Sequence, residues 1–514
     1  MKNKILKILR YSCLLFVIVF GLMAIIGING GCGGDGDNGV SNTDPTATIT
    51  SPSDGSTYNE GDTITFSGTG SDAEDGILTG SSLVWTSSID GQIGTGESFT
   101  KNELSAGTHT ITLTATDSES AIGSDTVSIT VFAPVKIGEI HPFTGLLAEF
   151  GEPGHNAALL AVKHLEEAGY TVETVSADSE TDAVAGVEAA QTLVEDEDVQ
   201  VLVGAASSGV TISIAESVSI PSQIPQISYA SSSPLISELP ADEGQDFLFR
   251  TCPSDALQGV VLAQMAYDTG YMKAAVLYIN NPYGQGLNEV FKENFEALGG
   301  TVCSVPIDEV PAVSYATELQ QAIDCNPDVL IAISYPSHAT VYLAEAIDGG
   351  FISTFLFVDG TKSEKIIDAV GADALEGMRG TAPGLKETDS LEIFNSTYEA
   401  EYGQAPPVSF MTNSYDAVIL AALAAYEAQV AGEELTSTAI RDHLRIVSGP
   451  LGEKALAGSE GLTQALKLLR EGSGIDYVGA SGDVDFDENG DVISPIEIWS
   501  YEGGEIVSKG LVQP

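Results

Sequence analysis

Residues 203–234 read VGAASSGVTISIAESVSIPSQIPQISYASSSP. Two apolar runs of strand character, Val199–Val203 and Gln226–Tyr229, each empty into small hydroxyl residues: Ser207-Ser208-Gly209 after the first, Ser231-Ser232-Ser233 after the second. The first cluster leads into helical spacing (Val210, Ile214, Val218), and Ser233-Pro234 has the form of another helix start. A strand end, a small-residue turn and a helix N-terminus together offer free backbone N–H groups and a positive dipole end. That combination suits a small anion such as a carboxylate. The two turns lie about 24 residues apart and predict one ligand held between adjacent βα loops. Taken alone, they also read as two ordinary βα loops.

Outward from this stretch, β then α alternates along the chain. Lys136–Ile140 reads as a first strand, and His155–Glu167 as a helix with Ala157, Leu160, Ala161, His164 and Leu165 on one face. Val172–Ser176 adds another strand. After Cys252-Pro253 the rhythm restarts with Ala274–Ile279, Thr301–Ile307, Val329–Ser334 and Phe355–Val358. Such alternation means parallel sheets with helices on both faces. Two runs of four strands predict two doubly wound α/β lobes joined by a hinge, with the ligand between facing strand ends.

Residues 45–133 have a different character. Ala47–Ile49, Thr63–Ser67, Leu83–Thr86, Thr108–Thr116 and Asp125–Val131 read as short strands, the clearest being His109–Ala115 with Ile111 and Leu113 on one side. Strands at this spacing predict a sandwich. Residues 51–76 (SPSDGSTYNEGDTITFSGTGSDAEDG), 83–91 (LVWTSSIDG), 104–118 (LSAGTHTITLTATDS) and 123–131 (GSDTVSITV) resemble PKD and other immunoglobulin-like modules of bacterial surface proteins, which makes Trp85 the core tryptophan. The crowd of Asp72, Glu74 and Asp75 has oxygen ligands for calcium, but reads more simply as a solvated turn. The module is expected to be a spacer or weak adhesive unit.

At the N-terminus, Lys2, Lys4, Lys7 and Arg10 precede an apolar run over 11–28 and then Asn29-Gly30-Gly31-Cys32. A basic segment, an apolar segment and small residues make an export signal. The residues before Cys32 resemble a bacterial lipobox, which implies cleavage after residue 31 and a lipidated Cys32 tethering the chain to a membrane. Asn29 departs from the aliphatic residue usual there, and a retained anchor is the other reading of the run. Residues 32–44 form a Gly- and Asp-rich linker.

Across all 514 residues, 73 Asp and Glu against 20 Lys and Arg give a net charge of −53, which disfavours nucleic acid and anionic membrane surfaces as partners. Five cysteines and six scattered histidines, with no HExxH and no CxxC, give zinc or thiol-redox chemistry little support, and no metal or cofactor is expected. GAASSGV around Ser208 is not a G-x-S-x-G elbow, and no GxGxxG or P-loop occurs, so no enzyme is expected. Residues 485–490 (DFDENG) imitate the start of an EF-hand loop, but position twelve is Ile496; they are expected to be the turn of a β-hairpin.

Residues 134–514 are similar to the type I periplasmic solute-binding proteins of the Leu/Ile/Val-binding class, which feed ABC importers. The motifs are KIGEIHPFTGLLAEFGEPGHNAALLAV (136–162), VLVGAASSGVTISIA (201–215), PQISYASSSPLIS (225–237), FRTCPSDALQG (249–259), LYINNPYGQG (277–286), LIAISY (330–335), FLFVDG (355–360) and SFMTNSYDAV (409–418). The resemblance implies three crossings between lobes, with lobe 1 as 134–252 plus about 381–450 and lobe 2 as 253–380 plus about 451–514. It also implies an amino acid ligand, an ABC permease with its ATPase as partners, and a place outside the cytoplasmic membrane.

The same resemblance assigns the α-carboxylate to Ser208, Ala230 and Ser232, with Ser231 also in the expected ligand-binding set, and the α-ammonium to Asp359, with the Ala230 carbonyl and the Ser232 hydroxyl sharing it. Asp359 stands where glutamate is commoner and also reads as a helix N-cap. Phe150, Tyr283 and Tyr335 are each compatible with plain packing, yet together they form a clamp over a ligand side chain. Cys303 and Cys325 flank one βα unit and could pair, leaving Cys252 free near the hinge. Amino acid delivery to a permease is the leading expectation. A module that senses an amino acid, amide or aromatic acid and signals through a partner is the alternative, and a surface adhesin a third.

Overall fold

A computed structural model describes residues 41–513. The signal, the lipobox with Cys32 and most of the linker therefore lie outside the described residues.

Period-two alternation builds the N-terminal sandwich. One sheet carries Ser56–Asn59, Ile122–Phe132, Gly107–Thr116, Leu83–Ser87 and Gly91–Thr95; the other carries Thr46–Ser51, Ile64–Asp72, Gly76–Leu78 and Ser98–Lys101. Trp85 is the core tryptophan: it is fully buried, meets Phe66 edge-on at 5.8 Å, and donates Nε1–H to the Gly96 carbonyl at 2.9 Å. The Asp72 loop is a bonded turn. Asp72 accepts from the N–H groups of Glu74 and Asp75, and Asp75 accepts from Ser118. Phe132, at the end of the sandwich, packs on Tyr426 of the next body at 4.3 Å between ring centroids. Ala133 N–H donates to Gln429 at 2.7 Å, so only Ala133 and Pro134 separate the last sandwich strand from the next.

Buried apolar runs then form the first parallel sheet, in the order β2-β1-β3-β4-β5: β1 Val135–His141, β2 Val172–Asp178, β3 Val201–Val203, β4 Gln226–Ser228 and β5 Leu248–Arg250. The second sheet repeats that order as β7-β6-β8-β9-β10, with β6 Lys273–Ile279, β7 Thr301–Ile307, β8 Val329–Ile333, β9 Phe355–Phe357 and β10 Arg379–Pro383. Two antiparallel strands, Ile496–Glu502 and Glu505–Val512, extend it. Strand order reverses between β1 and β3, and again between β6 and β8. The crevice outside the carboxyl ends of such strands is where a doubly wound sheet accepts a ligand. Each sheet thus has one parallel strand more than the four expected.

The division of the C-terminal third differs from expectation. Residues 453–491 belong to the first lobe, not the second. The helix Gly458–Arg470 buries Leu462, Ala465, Leu466 and Leu469 and lies against the helix α1 (Gly151–Glu167) and against Met411–Val430. Asp416 on Met411–Val430 accepts from Tyr477, Ala480 and Ser481, although burial pushes its carboxyl up to about 6. The segment 485–491 is a turn but not of a hairpin, because it has no paired flanking strands. Instead Asp491 holds the buried Arg250 of β5 in a two-point ion pair at 2.6 and 2.9 Å. Strand β10, including residues 381–383, stays with the second lobe. The chain crosses between lobes after β5, after β10 and before Ile496.

Cys303 and Cys325 are disulfide-bonded, and Cys252 is buried and free.

Candidate ligand-binding site

The lobes close on a cavity walled by Leu147, Phe150, Ser208, Ala230, Tyr283 and Asp359 among others. From the first lobe come turns that follow β3 and β4. Ser207 precedes, and Ser208 begins, the helix Ser208–Ile214, whose helical path continues through Ala215–Ser219. The second cluster starts only a single turn, Pro234–Ser237, so its dipole is slight and its contribution lies in hydroxyls and N–H groups. Ser208 Oγ accepts from Ser233 N–H at 3.3 Å and ties the two turns together. Arg250 stiffens them from below, donating to the carbonyls of Ser231 and Ser233 at 3.1 and 2.9 Å.

Ser208, Ala230 and Ser232 reach the cavity; Ser231 does not. Its hydroxyl turns inward, donating to the Ala205 carbonyl at 3.0 Å and meeting Thr211 Oγ1 at 2.8 Å. Ser231 is therefore a brace inside the turn and no ligand contact, a correction to the expected set. In a turn, consecutive serines diverge, and only the bonding of Ser231 to its neighbours tells which one points out.

The second lobe supplies the opposite wall. Tyr283 and Tyr335 stack with ring centroids 5.7 Å apart and planes 10° from parallel. Asp359 opens a short 3₁₀ turn, Asp359–Thr361, instead of capping it, so the N-cap alternative falls away. Its Oδ1 accepts from Gln258 Nε2 at 2.8 Å and from the Tyr283 hydroxyl at 2.9 Å. A second buried carboxylate, Asp255, accepts from the Ser232 hydroxyl at 2.9 Å and leaves Oδ1 without a partner. Burial raises the pKa of Asp359, and burial together with the nearby Asp359 charge raises that of Asp255 well above the usual carboxylate range. Two carboxyl groups out of water beside a cavity are stabilised by a cation placed between the lobes.

The lobes touch over this cavity. Ser233 Oγ donates to the Pro282 carbonyl at 2.8 Å, and Lys365 pairs with Glu149 at 2.6 Å. A Cβ at Gly286 would stand 2.8 Å from both Pro234 and Ser233, so the approach requires glycine there.

Sequence patterns did not disclose Leu147, Gly154, Ala206, Tyr229, Gly360, Ser409 and Phe410 in the wall. Behind Tyr229 lies a buried network. The Tyr229 hydroxyl meets His141 Nδ1 at 2.9 Å, while His141 Nε2 and His155 Nδ1 meet Glu139 Oε2 at 3.1 and 2.8 Å. Burial alone would raise Glu139, but the two imidazoles hold its carboxyl down at about 2. The i, i+2 spacing of Glu139 and His141 in a strand was the one available signal, since alternate residues share a face.

Comparison with known proteins agrees with this architecture. Residues 134–490 match the family model of the periplasmic binding protein, and residues 45–131 match that of the bacterial Ig domain. The chain belongs to the periplasmic binding protein family: a solute-binding, non-enzymatic protein whose binding body lies outside the cytoplasm. Among relatives, it is 27% identical over 380 residues to the chemotactic signal transduction system substrate-binding protein BasB of Halobacterium salinarum, covering 68% of this chain and 83% of that one. It is 26% identical over 354 residues to Leu/Ile/Val-binding protein homolog 8 of Brucella abortus, covering 65% and 85%. The crystal structure of the leucine binding protein LivK of Thermotoga maritima shares the fold, with a TM-score of 0.62 at 24% identity, covering 74% of this chain and 99% of that one. No helix among the described residues is long and apolar enough to cross a membrane.

Proposed function

We propose that the protein captures an amino acid between its lobes and delivers it to an ABC permease and its ATPase. The observation that carries this is one cavity with hydroxyls and helix-start N–H groups (Ser208, Ser232) on one wall and the buried carboxylate of Asp359 on the other. Donors on one wall and an acceptor on the other suit a zwitterion: the α-carboxylate on the first lobe, the α-ammonium on Asp359, with the Ala230 carbonyl and Ser232 beside it. Phe150, Tyr283, Tyr335, Leu147 and Phe410 surround the remaining space, which favours an apolar or aromatic side chain. The Leu/Ile/Val-binding names of relatives point the same way. Lipidation of Cys32 would hold the protein at the membrane where the permease lies.

A thermal-shift screen of amino acids, amides and aromatic acids, followed by titration calorimetry on the hits, tests this. Apolar amino acids should raise the melting temperature, and the matching acids lacking the amine should do so less. Equal responses to both would sink the zwitterion assignment. A second reading, sensing for signalling, is favoured by the name of the Halobacterium relative. Association of the loaded protein with a permease, or instead with a receptor, separates the two.

A further inference from the structure

We propose that Glu139, His141 and His155 form a site for one divalent transition-metal ion, with zinc as the probe, in the first lobe beneath the ligand cavity. Glu139 and His141 leave β1 on the same face, and His155 comes from the first turns of α1, so the triad joins a strand end to a helix start. Its three donor atoms all lie within 4.8 Å of one another, and both imidazole nitrogens already face one carboxylate oxygen, at 3.1 and 2.8 Å. In a tetrahedral site with bonds of about 2.0–2.1 Å, donors stand roughly 3.3 Å apart. Lengthening the two imidazole–carboxylate contacts by a few tenths of an ångström brings them to that spacing.

Three further observations point to a ligand. Glu139 is wholly buried, and its Oε1 has no hydrogen-bond partner, leaving a coordinating atom to spare. The far nitrogen of His141 meets the Tyr229 hydroxyl at 2.9 Å, the outer contact that orients a metal-bound imidazole. The side chain of His155 is 20% exposed, which provides an entry path, while Phe143 stands edge-on to it at 5.5 Å and screens the site. Two imidazoles and one carboxylate favour zinc, cobalt, nickel or copper over calcium or magnesium. Three protein ligands leave a fourth position for water. The cavity wall passes through Gly154 and Tyr229, next to His155 and His141, so an ion here would fix that wall from behind.

The test is titration of the metal-stripped full chain with zinc against a chromophoric chelator, repeated with cobalt(II) and read by its visible absorption. One equivalent of zinc should bind with defined stoichiometry, and His155→Ala should weaken it at least tenfold, as should Glu139→Gln. His443→Ala, at a histidine far from the triad, should leave the affinity unchanged. Melting curves show which variants fold; because Glu139 is buried and His155 is not, His155→Ala keeps the test valid if Glu139→Gln fails. Zinc affinity equal in wild type and His155→Ala, or cobalt showing only the weak octahedral spectrum of surface carboxylates, would overturn the proposal.

Discussion

Asp359→Asn is the substitution that bears most directly on the cavity. The change keeps the volume of the side chain and removes its charge. In the cleft Asp359 accepts from Gln258 and Tyr283. Losing one of those bonds affects the free and bound forms alike and largely cancels from an affinity. What does not cancel is the bond to the ligand's ammonium. A hydrogen bond to a charged group contributes about 1.5–3 kcal/mol, and each 1.4 kcal/mol is tenfold, so affinity should fall by roughly 10- to 150-fold. Titration calorimetry at pH 7.5 with the best amino acid from the screen measures it. The pH dependence provides an independent check. Because burial raises the Asp359 pKa, the ionised form that pairs with the ammonium gains population as pH rises. Wild-type affinity should therefore climb as pH rises through that elevated pKa and then level off, and the Asn variant should lose much of the climb. A dissociation constant within threefold of wild type, with the climb intact, would refute the role given to Asp359.

Other substitutions test the frame around the cavity. Gly286→Val should hold the lobes apart at Pro234 and Ser233, weakening the amino acid tenfold or more while the melting temperature of the empty protein stays put; unaltered affinity would mean that closure tolerates bulk there. Asp491→Ala strands the buried Arg250 guanidinium and should cost about 3–5 kcal/mol in denaturant unfolding, so a loss under 1 kcal/mol would contradict the pairing. His443 faces Glu427 at 2.7 Å through Nε2 and the Ala439 carbonyl at 2.8 Å through Nδ1, and the Glu427 contact raises its pKa in the folded state. Its contribution to stability is full below the unfolded value of about 6.5 and fades as pH rises through the folded pKa. The melting gap between wild type and His443→Gln should accordingly be widest in acid and narrow in alkali, whereas a constant gap would exclude the ion pair.

Strands of a doubly wound sheet announce themselves because both faces are covered, so each is an unbroken apolar run bounded by turn residues. Thr301–Ile307 lies where the residues alone put it, and Val329–Ile333 differs by one residue at one end. The cavity was legible for a related reason: hydroxyl clusters after β3 and β4, and Tyr335 and Asp359 after β8 and β9, must gather at carboxyl ends once the sheets are parallel. Partnership was not legible. The periodicity of Gly458–Arg470 declares an amphipathic helix without saying which lobe receives its apolar face, and that helix went to α1. Asn489-Gly490 carries hairpin chemistry, but the value of the turn lies in delivering Asp491 to Arg250, residues 241 apart in sequence. Glu139, His141 and His155 meet only because α1 folds back over β1.

Phe132 is a sandwich residue buried in the core of the binding body. It ends the sandwich's last strand, yet its ring lies against Tyr426 and Tyr170 of the binding body. Arg470 donates to Thr57, and Asn59 to Gly169, on either side of it. The sandwich is consequently a bracket and not a leash: tension applied at the N-terminal side runs down Ile122–Phe132 and straight into β1, the strand that ends under the ligand cavity. This aromatic joint sets how the sandwich sits on the lobes, and lengthening the two-residue connection with glycines would release that orientation without touching the cavity wall.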